Sequence, residues 1–187
     1  MGAEEPATAV QICPAPLHAT DQVGQCEGNS MARKLTTAER RWHRKMAAGL
    51  FNEVWRLLEK KRTPAEDDRM IHAAHASRYH WGEVGTPVNL AIGEWQISHV
   101  YAVLDRPEPA TYHAVRSLAT CKENGIDDFP LAFAYEALAR ADAVAGRKRE
   151  LRRHLALARE VGSRIKDKED RDLLFQDLKS IRPGLRR

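Results

Sequence analysis

What this chain lacks narrows its class before any motif is considered. No stretch approaches the roughly 18 consecutive apolar residues of a membrane-spanning helix, so neither such a helix nor a membrane partner is expected. Only three cysteines occur: Cys13 and Cys26 near the start, and Cys121 alone in a helical pattern. An odd, unspaced set of this kind is neither a disulfide framework nor a zinc-ligand array. The first 31 residues hold no Lys or Arg and no apolar stretch of signal length, so both marks of a secretory leader are missing. The expectation is a cytoplasmic chain with reduced thiols. β-Branched alternation of the kind strands require is also absent.

Catalytic signatures are equally scarce. The chain contains no G-x-G-x-x-G, no phosphate loop, no G-x-S-x-G elbow and no HExxH. Cys121 and His113 stand eight residues apart along one helical segment, too far for a proton-transfer pair on that segment alone. No nucleophile comes with a base beside it. A non-catalytic role without a cofactor is the expectation.

What is present falls into two parts. Residues 1–31 are rich in Ala, Pro, Gly, Thr and Gln and have no apolar period, the composition of a disordered arm. Through Glu4, Glu5, Asp21 and Glu27 the arm carries −4, and because the whole chain is +4, residues 32–187 hold +8. Met31 opens the new compositional regime. The body is long enough to bury a core and reads as a single domain.

From residue 36 onward every segment has helical period, and the breaks carry helix-start chemistry. Thr36-Thr-Ala-Glu39 fits a capping box, Thr63-Pro64-Ala-Glu66 adds a proline at the first helical position, and Thr86-Pro87 repeats the device. Pro107, Pro109 and Pro130 mark later starts, while Gly85, Gly125 and Gly146 stand where helices should stop. Seven helices are predicted, over 37–61, 64–82, 87–105, 108–124, 130–145, 147–165 and 168–181. The fold class is all-α.

The segment IHAAHASRYHW, residues 71–81, puts three histidines into the second of these helices. Met70, Ala73, Ala74, Ser77 and Trp81 share one face and read as a packing seam. His72, His75 and Tyr79 lie on the other side, with Asp68 and Glu83 at helical spacing. Asp68, His72 and His75 stand at i, i+4 and i+7, so one helix would offer three ligands to a metal ion, and a metal-dependent enzyme is the third reading of this chain. A polar stripe opposite an apolar seam is the ordinary pattern of an amphipathic helix, and that reading is preferred.

Internal similarity is more informative. Glu94–Gly125 and Tyr135–Gly162 each read as a helix, a short turn and a second helix, with the turns at Asp105 and Gly146 set 41 residues apart. Aligned on the turns, Ile97 matches Leu138, Ser98 matches Ala139, Ala110 matches Leu151 and Ser117 matches Ala158. Helix pairs repeating in this way bury their faces only by stacking on one another.

On these residues the chain resembles the tetratricopeptide repeat family, in the divergent form of bacterial repeat proteins. Ile97-Ser98 and Tyr101 occupy the family's Leu-Gly and Tyr places, and Ala110 its first small place. Tyr135, Leu138-Ala139, Gly146 and Ala158 do so in the second unit, where Asp142 breaks the tyrosine. Phe51, Val54, Trp55 and Leu58 form a weaker preceding unit, and the 41-residue spacing exceeds the family's usual value of about 34. The resemblance implies a short TPR-like α-solenoid whose first helices line a groove for a protein or peptide partner. It would place Ile92, Trp95, His99 and Ala102 of the first unit, and Phe133, Glu136, Arg140 and Ala143 of the second, along that groove. Aromatic and arginine side chains are the types that dominate interface energetics. Against this, Trp95 and Phe133 also suit the core, and Glu136 with Arg140 has the spacing of a plain i, i+4 ion pair.

Nucleic acid is the competing partner. Arg33, Lys34, Arg40, Arg41, Arg44 and Lys45 form a basic run around Trp42 and His43. Arg147, Lys148, Arg149, Arg152 and Arg153 form a second run, and Arg186 and Arg187 close the chain. Such patches grip phosphates without reading bases. So short a stack also leaves an end face open, which makes self-association an expectation.

Overall fold

The computed structural model describes residues 34–182, so the arm over 1–31, with Cys13 and Cys26, and Arg33, Arg186 and Arg187 of the basic runs lie outside the described residues. Within them the chain forms α1 (Thr37–Leu58), α2 (Pro64–Val84), α3 (Pro87–Val103), α4 (Pro107–Glu123), α5 (Asp128–Ala145), α6 (Lys148–Gly162) and α7 (Lys168–Ser180). The described residues contain no strand. Each predicted helix end falls within three residues of the observed one.

Local chemistry accounts for the ends. At Thr36 and Thr63 the hydroxyl accepts from the backbone N–H of Glu39 and Glu66, and each carboxylate accepts from the threonine N–H, at 2.7 and 2.9 Å. At Thr86 the Asn89 side-chain oxygen takes the same part, accepting the Thr86 N–H at 2.9 Å. Asp167 caps α7 by accepting from Glu169 and Asp170. Gly146 ends α5 in the left-handed region at φ +72°, as Gly125 does beyond α4 at +61°. Asp105, after α3, takes the same conformation without being glycine.

The helices pack as antiparallel neighbours. The most extensive pairings are α1 with α2, α3 with α4 and α5 with α6; α4 with α5 and α2 with α3 follow, and α3 also lies directly on α5. The odd-numbered helices share one side-chain core, with α3 on α5 and α7 laid against α5 and α6, and this odd-helix layer is flanked by α2, α4 and α6. Small residues make the close approaches. Ser77 Oγ donates to the Ala47 carbonyl, Ser117 Oγ to that of Ala91 and Ser98 Oγ to that of Ala110, so each buried hydroxyl ties one helix to the backbone of another. Gly93 meets α2 so tightly that an added Cβ would lie 2.7 Å from Arg78 Cδ.

The main core joins Phe51, Trp95, Phe133, Leu138, Val161, Ile165, Leu174 and Leu178 across α1, α3, α5, α6 and α7. A second cluster of Val54, Met70, Ile97 and Val100 closes α1, α2 and α3. The seam of the IHAAHASRYHW segment is observed as expected for Met70, Ala73, Ala74 and Ser77, all buried, while Trp81 at its end is only partly covered.

Candidate functional site

The residues assigned to a groove do come together, but most of them lie inside the odd-helix layer rather than on its surface. Trp95 and Phe133 are each 2% exposed, with ring centroids 4.9 Å apart, and Phe129 stacks on Phe133 at 4.4 Å. Trp55 of α1, Trp95 and His99 form a triangle of rings with separations of 5.6, 5.6 and 6.0 Å. Ile92 is partly buried against the same core. Sequence spacing accounts for the convergence: Ile92 and Phe133, Trp95 and Glu136, and His99 and Arg140 are each 41 residues apart, and α3 lies alongside α5.

Glu136 is the polar centre of this layer. Its carboxylate is fully buried. One oxygen accepts from Trp95 Nε1 at 2.9 Å, and the other accepts both Nε and Nη2 of Arg140, at 2.7 and 2.6 Å. The Nη2 group reaches on to Ser180 Oγ at 3.1 Å, tying α5 to α7. Glu136 and Arg140 thus form a buried, fully engaged ion pair, unlike the solvated pair their spacing suggests.

Among the described residues Trp55 Nε1 and His99 Nδ1 beside this network, like Gln96 Oε1, have no hydrogen-bond partner and are shut off from solvent. Burial, seconded by the Arg140 charge and opposed by Glu136, pulls the His99 pKa down to about 4, so the ring is neutral near pH 7. Asp177 of α7 moves the other way, to about 6, because burial and the Glu136 charge outweigh Arg140. The layer thus encloses a neutral imidazole, an indole N–H and two carboxylates around one guanidinium.

A second cluster, on the α2–α3–α4 side, is only half visible in the sequence. Glu94, 4% exposed, accepts from Arg78 of α2 and Arg116 of α4 at 3.1 and 3.2 Å and from His113 Nδ1 at 2.7 Å. Burial alone would raise its carboxyl pKa, but the bonds from His113 and Arg116 and the Arg78 charge hold it below the usual range. His113 stacks on Tyr101 at 5.9 Å, and Tyr101 Oη lies 3.0 Å from His75 Nε2. Asp142 repeats the device on α5, bonded to His154 Nδ1 at 2.6 Å and Arg147 Nε at 2.7 Å. The signal present in the sequence is that His113 and His154 are themselves 41 residues apart.

The Asp68, His72 and His75 stripe lies along one exposed side of α2. His75, exposed like Asp68 and His72, has its Nε2 3.0 Å from Tyr101 Oη. Among the described residues no three His, Cys, Asp or Glu side chains gather in a metal-binding arrangement. Cys121 is buried, and desolvation pushes its thiol up to about 11, so the thiolate needed for nucleophilic chemistry is suppressed. No helix among the described residues is long and apolar enough to cross a membrane. Compared with family models, curated proteins and solved structures, the chain matches none.

Proposed function

We propose that this chain is a non-catalytic, TPR-like helical-repeat module that binds a protein or peptide segment along the face of its odd-numbered helices. The observation that carries the reading is the pair of unpartnered buried atoms, Trp55 Nε1 and His99 Nδ1, on rings 5.6 Å apart beside the Glu136–Arg140 pair. A buried donor left unpaired costs on the order of 1–3 kcal/mol, and such groups persist where something else pairs with them. The repeat reading is supported by the dominance of the α1–α2, α3–α4 and α5–α6 pairings and by the 41-residue correspondence of residues that touch across α3 and α5. Arg140 and Glu136 organise the layer under that face, Trp95 and Phe133 pack beneath it, and a bound segment reaches Trp55 Nε1 and His99 Nδ1 by displacing the side chains that close them off from solvent.

The test uses the full chain against a randomised peptide library, with selected peptides titrated calorimetrically. Trp55→Phe and His99→Phe each remove one free polar atom while keeping a ring in place. The expected result is affinity weaker by roughly tenfold in each, with an unchanged helical circular dichroism spectrum. Selected peptides that bind both variants as tightly as the parent would overturn the reading.

A further inference from the structure

A separate patch lies at the other end of α1. Trp42 and Tyr79 are 52% and 61% exposed, among the largest apolar surfaces the described residues leave open. They belong to different helices but share a neighbour: the His80 ring lies 5.1 Å from Trp42 and 5.5 Å from Tyr79, edge to face in both cases. His43 completes the mount, with its Nδ1 3.0 Å from His80 Nδ1 and its ring 5.0 Å from Trp42. Two aromatic side chains are thereby fixed against α1 and α2 while most of their surface faces solvent. An exposed aromatic pair braced through a shared ring offers a preformed apolar surface for a partner.

Charge defines the partner. Arg41 and Lys45 sit one residue before and three after Trp42 on α1, and Arg40 and Arg44 flank them. All four are exposed, and among the described residues none is held in an ion pair. Glu39, one turn before Trp42 on α1, and Glu83, one turn beyond Tyr79 on α2, are the nearest acids in sequence, so Arg40, Arg41, Arg44 and Lys45 outnumber them around the rings. Rings that stack on any base, set among cations that track a phosphate chain, are the two components of sequence-tolerant single-strand recognition. A duplex hides its base faces, and an acidic peptide has no planes to stack, so neither uses both components.

We propose that the α1–α2 tip, centred on Trp42 and Tyr79 with Arg41 and Lys45, is a binding site for single-stranded nucleic acid. Trp42 and Tyr79 stack on neighbouring bases, and Arg41 and Lys45 pair with the phosphates between and beyond them. Trp42 lies 13 residues from Trp55 along α1, about 20 Å away, so this site is independent of the odd-helix face.

The full chain would be titrated with a fluorescently labelled oligothymidylate of about 12 nucleotides, the length scale of single-strand sites, and with a duplex of equal length, across a salt series. The single strand should bind more tightly and quench tryptophan emission in the parent but not in Trp42→Phe, which should keep most of the affinity. Trp42→Ala with Tyr79→Ala should weaken binding roughly tenfold or more. Replacing Arg41 and Lys45 by alanine should flatten the slope of log affinity against log salt by about 0.7 for each phosphate left without its cation. Both rings are more than half exposed, so these variants are expected to keep the parent's circular dichroism spectrum and melting temperature. Equal binding by the ring-deleted variant, no preference over the duplex, or displacement by polyglutamate at matched charge would each overturn the proposal, the last pointing to an acidic protein surface instead.

Discussion

Glu94 and Glu136 are both glutamates of the odd layer, both almost sealed from solvent, and they are satisfied in opposite ways. Glu94 is bonded by three side chains from two other helices, the guanidinium groups of Arg78 and Arg116 and the His113 ring. Glu136 receives one arginine, from its own helix, and an indole N–H, with a second carboxyl, Asp177, close enough to feel its charge. Each carboxylate accepts three hydrogen bonds, but those of Glu94 come from three separate residues, and its acid is held below the usual range. The Glu136 centre is short of positive charge, and next to it an indole and an imidazole atom stand unpaired. Redundancy marks a structural clamp, since losing one partner leaves the others; scarcity beside orphaned atoms marks a place prepared for something further.

The largest expected effect breaks this contrast directly. Arg140→Met removes the one cation that, among the described residues, pairs with Glu136 and leaves a fully buried charge uncompensated, which costs about 3–5 kcal/mol. Arg116→Met removes a half-exposed partner of Glu94 while Arg78 and His113 remain, and should cost about 1 kcal/mol or less. Urea unfolding of the two variants measures both, and comparable losses would show that the two carboxylates are equally dependent on single partners.

Proton linkage sharpens the contrast next. The His99 pKa falls from 6.5 to about 4 on folding, so the folded state binds fewer protons and its contribution is intact above pH 6.5. That contribution is lost as pH drops from 6.5 towards 4, by up to about 3 kcal/mol. Asp177 has the opposite sign. Its raised folded pKa, about 6 against 3.8, means its contribution is complete below pH 3.8 and is lost as pH rises through 6. The two slopes oppose each other between pH 4 and 6, so the parent's stability should vary little there on their account. His99→Phe should expose the falling limb of Asp177, and Asp177→Asn the rising limb of His99. Chemical denaturation of both variants across that range checks the signs; parallel curves would exclude the assignment.

Much of the architecture is legible because helix ends are local events. Thr36, Thr63, Pro64, Gly125 and Gly146 each act through backbone geometry within four residues, and the structure places helix boundaries beside them. The 41-residue repeat also anticipates which residues meet, since Trp95 and Glu136 are hydrogen bonded across α3 and α5. Depth is not legible. Trp95, Phe133 and Glu136 read as a groove-facing row, yet α1 and α7 cover that row, and neither cover follows from the pattern of α3 and α5 alone. The Glu94 centre is hidden for a related reason: Arg78, Glu94, His113 and Arg116 come from three helices, and their convergence depends on the close approach at Gly93, a residue that looks like a helix weakness in sequence. The histidine stripe is plain in the sequence, but its partner Tyr101 lies 26 residues away and reads there as a packing residue.

The smallest effect is the most diagnostic of the unpaired atoms. Trp55→Phe deletes the buried Nε1 donor and keeps an aromatic ring against Trp95 and His99. If that donor is an unrelieved cost in the free chain, the variant gains roughly 1 kcal/mol from removing it, less what the smaller ring loses in packing. A melting temperature at or slightly above the parent's is therefore expected, in contrast to the usual loss on trimming a core tryptophan. The matching change at the Glu94 centre, His113→Phe, removes a bond that Glu94 uses and should lower stability. A rise at Trp55 with a fall at His113 would separate a site kept at the expense of stability from a clamp kept for it. A clear fall in both would mean that the Trp55 indole contributes to folding alone.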